Sequence, residues 1–83
     1  MPVQERRIMR LIDAADNTVV EITGFIGGKG IADKLRQLSL MPGDEVKITQ
    51  RAPFRGPVMV EAHGRSVALG RGVATRIEVI PCE

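Results

Sequence analysis

Polar and apolar residues alternate without a break through Glu45-Val46-Lys47-Ile48-Thr49-Gln50, the period of two that a strand with one wet face requires. Val46 and Ile48 are expected inward, and Lys47 and Thr49 outward. Val58-Met59-Val60-Glu61-Ala62 repeats the pattern with Met59 and Glu61 outward, and Ser66 to Leu69 returns with Val67 and Leu69 inward. Val19 to Ile26 is rich in β-branched residues and reads as an earlier strand. Thr75 to Ile80 reads as the closing strand, with Ile77 and Val79 inward and Pro81 as its stop. The period changes at Ile31, Leu35 and Leu38, which recur at i, i+4 and i+7 and form the apolar stripe of a short helix. Gln4 to Ala15 fits two patterns. Ile8, Leu11, Ile12 and Ala15 suit a helical stripe, but a short strand from Ile8 to Ile12 followed by one helical turn capped by Asp13 is preferred.

The connections follow from turn chemistry. Gly27-Gly28-Lys29-Gly30 lets a strand swing into the helix, and Pro42-Gly43 supplies the fixed φ and the positive φ of a type II turn. Asp16-Asn17-Thr18 reads as a turn, Ala52 to Pro57 as a loop and His63-Gly64-Arg65 as a tight hairpin connection. Gly70 to Ala74 breaks the strand pattern. Short strands at hairpin spacing favour closure of the sheet, which removes edges that a thin domain cannot otherwise cover. The expected fold is mainly β, a small SH3-like antiparallel barrel of about five strands with one inserted amphipathic helix. The chain is read as an N-terminal extension over 1–10 and a barrel domain over 11–81.

Composition narrows the chemistry. Neither the 43% hydrophobic nor the 27% charged content indicates disorder, and no stretch approaches the length of a membrane span. With no apolar leader after Arg6-Arg7, the expected location is cytoplasmic, without direct membrane insertion. The net charge of +2 is spread among mixed signs, and the aromatic residues are only Phe25 and Phe54. Base-stacking platforms and aromatic-lined peptide grooves cannot be built from these, so nucleic acid is not an expected partner. Gly24 to Gly30 fails the phosphate-loop spacing, because Gly24 stands one residue too close to Gly28-Lys29 and Gly30 follows the lysine. One histidine, His63, and one cysteine, Cys82, do not assemble a nucleophile and its base, so the chain is not expected to be an enzyme. No cofactor is required. A weak Fe(II) or Zn(II) site could draw on His63, Cys82 and carboxylates such as Glu61 or Glu83. What the chain can offer a partner is an apolar rim with basic flanks, made of Met41, Phe54, Pro57 and Met59.

Several of these residues also carry a resemblance. Leu11, Asp13-Ala14, Val20, Ile22, Gly27-Gly28, Leu35, Leu38-Ser39-Leu40-Met41-Pro42-Gly43, Val46 and Ala52-Pro53-Phe54-Arg55-Gly56-Pro57 are similar to the FeoA family of ferrous iron transport accessory proteins. The likeness continues through Gly64, Val67-Ala68-Leu69, Ala74, Ile77 and Val79. It implies an SH3-like barrel that binds the cytoplasmic region of FeoB, a membrane permease with a GTPase domain, and modulates Fe(II) uptake without transporting iron. The contact residues it points to are Leu38, Leu40, Met41, Phe54, Arg55, Pro57 and Met59. A weak homo-oligomer is a further expectation. The alternative is a transition-metal-binding or metal-responsive domain related to the C-terminal domain of iron-dependent repressors. Two departures stand out. Family members usually carry Gly in place of Ser39, and a charged helical segment in place of Gly70-Arg71-Gly72-Val73.

Overall fold

The computed structural model describes residues 8–82. Residues 1–7, most of the expected N-terminal extension, and Glu83 lie outside the described residues. The chain runs through β1 (Met9–Arg10), a 3-10 turn (Leu11–Asp13), β2 (Val20–Phe25), α1 (Lys29–Gln37), β3 (Glu45–Arg51), β4 (Val58–Ala62), β5 (Arg65–Leu69), α2 (Arg71–Arg76) and β6 (Ile77–Pro81). These strands form one antiparallel sheet in the order β1-β6-β2-β3-β4-β5.

The alternation in the sequence becomes the two faces of this sheet. Val46, Ile48, Val58, Val60, Ala62, Leu69, Ile77 and Val79 are all buried, and Val67 is half-buried against them. Leu11, Ala14, Val20, Ile22, Leu35, Leu40, Ala74 and Ile80 complete the core, which contains no charged or polar residue among those described. Two bulges bend the sheet, one between Ile22 and Gly24 against β6 and one between Ile48 and Gln50 against β4. Each places a threonine whose hydroxyl donates across the strands, Thr23 to the Glu78 carbonyl at 3.2 Å and Thr49 to the Met59 carbonyl at 3.4 Å. On the wet face, Lys47 and Glu61 stand opposite in register and pair at 3.4 Å.

The glycine entry behaves as its composition demands. Gly27 has φ +134°, and a Cβ there would come within 2.9 Å of the Ile31 side chain, so both backbone freedom and close approach require glycine. The Pro42-Gly43 turn closes as a type II turn, with the Asp44 amide donating to the Met41 carbonyl at 3.0 Å and Gly43 at φ +99°.

Four expectations need correction. The sheet has six strands, because Met9 and Arg10 pair with Val79 and Glu78 of β6 and so bring residues 9 and 10 into the sheet ahead of the expected boundary at 11. Asp13 lies inside the 3-10 turn, whose N-cap is Arg10, and does not cap it. Gly70 to Ala74 is no simple break, since Arg71–Arg76 is a second helix. Thr75 consequently belongs to α2, where its hydroxyl donates to the Arg71 carbonyl at 2.8 Å, and β6 starts at Ile77. Packing produces α2: its buried Ala74 and half-buried Val73 rest on the core beside the 3-10 turn, which outweighs the helix-disfavouring Gly72.

Candidate docking surface

The candidate contact residues fall on two segments. Leu38 to Met41 follow α1, where the chain leaves the helix through a Schellman motif. The Leu40 amide donates to the Leu35 carbonyl at 2.9 Å and the Ser39 amide to the Arg36 carbonyl at 3.0 Å. This geometry puts Ser39 at φ 60°, the left-handed conformation that glycine adopts without a Cβ penalty. It drives Leu40 into the core at 1% exposure and leaves Met41 53% exposed. Leu38 is half-buried against the core. Of this segment, therefore, Met41 is the side chain presented to solvent, and Leu40 supports it from below.

The second segment is the β3–β4 hairpin. The Ala52 amide donates to the Pro57 carbonyl at 2.9 Å, and the Gly56 amide to the Pro53 carbonyl at 3.1 Å. Between them Phe54 and Arg55 both have φ 60°. Two successive residues at positive φ are the mark of a type I′ turn, whose central positions ordinarily hold Asn, Asp or Gly. The Phe54 ring is 99% exposed. Arg55 and Pro57 are exposed beside it, and Met59 is half-buried on β4. At the base of this hairpin Arg51 binds back to the chain before β2. Its Nε is 2.6 Å from Asp16 Oδ1, and its terminal nitrogens donate to the carbonyls of Ile12 and Ala14. Arg51 thus holds the stem in place while the tip stands clear.

The candidate metal ligands are not gathered. His63 lies in the β4–β5 turn, with Nε2 at 3.2 Å from Asp44 Oδ2. Glu61 pairs with Lys47, and Cys82 lies just past β6, where burial and the nearby Glu45 and Glu21 push its thiol pKa up. Among the described residues no group of three or more His, Cys, Asp or Glu side chains could hold a metal ion. Asp44 is the residue that sequence reasoning missed. Its Oδ2 accepts the Met41 amide at 2.8 Å, and that bond holds its carboxyl below the usual range; burial opposes the shift and His63 adds to it. The signal was its place directly after Pro42-Gly43, where a short acceptor can close the turn on itself.

A sequence model of the FeoA domain matches residues 9–81. The chain belongs to the FeoA family. The crystal structure of the iron uptake regulatory protein FeoA superposes with a TM-score of 0.83 at 24% identity, over 92% of this chain and all of that one. Iron(II) transport protein A from Clostridium thermocellum gives 0.78 at 27%, over 88% of this chain and 45% of that one. A manganese-dependent transcriptional repressor shares the fold with a TM-score of 0.84 at 16% identity, and this chain spans 45% of its length. A search of curated proteins finds no match. The mainly β, SH3-like architecture expected of the sequence is thus the fold of the family. No helix among the described residues is long and apolar enough to cross a membrane.

Proposed function

We propose that the protein is a non-enzymatic, cytoplasmic accessory of ferrous iron uptake that binds the cytoplasmic region of a FeoB-type permease and modulates Fe(II) entry. Family membership supports the assignment to ferrous iron transport. The observation that carries the docking role is the Phe54 turn. A phenylalanine 99% exposed gains about 1.5–3 kcal/mol when a partner removes it from water. Aromatic and arginine side chains are frequent interface anchors, and Arg55 stands next to Phe54. Two bulky residues at φ 60° cost folding free energy, a pattern associated with sites kept for binding. Met41 joins the reading as the exposed residue of the other segment. Its thioether adapts to irregular partner surfaces.

The test is an NMR titration of the labelled chain with the soluble, nucleotide-loaded GTPase domain of the cognate permease. The reading predicts perturbation of Met41 and of residues 53–59, with the β6 core strand unmoved. Absence of any shift sends the docking role to another partner.

A second reading, a metal-responsive domain, has one juxtaposition in its favour, His63 against Asp44. Anaerobic calorimetry with Fe(II) and Zn(II) tests it: heat that disappears in His63→Ala supports the reading, and no heat with either ion removes it.

A further inference from the structure

A groove of about 460 Å³ opens where α2 meets the ends of β1 and β2, and Arg10, Ile26, Arg71, Gly72, Thr75 and Arg76 line it. Half of these six are arginines, and the lining contains no carboxylate. Elsewhere on the molecule two guanidinium groups are matched to acceptors, Arg51 to Asp16 and two carbonyls, and Arg36 to Asp33 at 3.7 Å. Among the described residues no carboxylate forms an ion pair with Arg10, Arg71 or Arg76. The acid opposite Arg10 in the sheet register is Glu78, and its Oε1 lies beside Gly24, 3.6 Å from where a Cβ on that glycine would sit.

We propose that this groove binds a phosphate-bearing anion. Guanidinium groups stay charged at every physiological pH and present planar, bidentate donors that match phosphate oxygens. Three such groups around one open groove repel each other until an anion of more than one charge sits among them. Ile26, 40% exposed in the groove wall, offers an apolar surface for the body of a ligand beyond its phosphate. The volume is in the range of a small-molecule site. The inference does not depend on permease docking, because none of the proposed contact residues lines the groove.

The experiment titrates the labelled full chain with sodium pyrophosphate at constant ionic strength, beside a flotation assay with phosphatidic acid and phosphatidylcholine vesicles. Saturating shifts confined to the lining residues, with half-saturation at or below about 1 mM, assign a free phosphate ligand. Flotation with phosphatidic acid alone, without saturation by pyrophosphate, assigns a lipid phosphate instead. In either arm Arg71→Gln combined with Arg76→Gln should weaken binding by about tenfold or more, and Arg55→Gln should leave it unchanged. Arg71 and Arg76 are both exposed, so the double variant keeps its fold, which its unperturbed β3–β5 resonances would verify. Dispersed, non-saturating shifts without flotation, or wild-type binding by the double variant, would overturn the proposal.

Discussion

Two hairpin tips of this molecule share one backbone geometry and differ in what they place on it. Between β4 and β5, His63 and Gly64 have φ 54° and 73°, and between β3 and β4, Phe54 and Arg55 both have φ 60°. At the first tip glycine removes half of the steric cost, and the histidine is tied to Asp44. At the second, both residues carry large side chains in a conformation that disfavours them, and the Phe54 ring touches solvent almost completely. One turn suits the fold that contains it. The other is tolerated by the fold, with Arg51 securing its stem, and it leaves the Phe54 ring in solvent, where the proposed docking would use it. The connection after α1 has the same division within one segment, since Leu40 is core and Met41 is display.

The contrast can be broken first at Leu40. Leu40→Ala should lower stability by about 2–5 kcal/mol in urea denaturation, whereas Met41→Ser should stay within about 0.5 kcal/mol. Equal losses would erase the distinction between support and display. At the strained tip, Phe54→Asn combined with Arg55→Gly puts residues suited to a type I′ turn where they are needed, and should raise stability by about 1–3 kcal/mol. A destabilised variant would mean that Phe54 serves the fold. Ser39→Gly relieves the one left-handed residue of the Schellman motif and should add about 0.5–1 kcal/mol, read from the same transition.

The smallest effect is a pH dependence. Asp44 has its carboxyl pKa lowered in the folded state, chiefly by the Met41 amide, so the unfolded chain binds that proton more readily. Its contribution is therefore present above the ordinary carboxylate value, about 3.9, and fades as pH falls through the lower folded value. Asp44→Asn should flatten the stability profile in that acid window, which urea denaturation as a function of pH would check.

The sheet was legible because alternation and burial are the same fact seen twice. Val46, Ile48, Val58 and Val60 lie inward in the structure because each occupies a position of period two. The first strand was legible in kind but not in extent, since the short strand expected from Ile8 to Ile12 is only Met9–Arg10 before the 3-10 turn begins at Leu11. Met9–Arg10 is too short to display a period, and its pairing with β6 is decided by residues at the far end of the chain. The second helix was hidden by Gly70, Gly72 and β-branched Val73, whose low helix propensity is overridden by the burial of Ala74. At the Phe54 tip, prolines and glycine marked a loop correctly. The turn type went unread, because neither central residue is one that seeks positive φ. The His63 contact with Asp44 depends on two separate turns meeting in space, which no spacing in the sequence announces.

The measurement that bears most directly on the account is the affinity of the Phe54→Asn, Arg55→Gly variant for the cytoplasmic region of the permease, compared with the unaltered chain by calorimetry. A turn kept under strain for docking predicts a variant that is more stable and yet binds at least about tenfold more weakly, a loss of about 1.4 kcal/mol. A variant that gains stability and binds with unchanged affinity would contradict it.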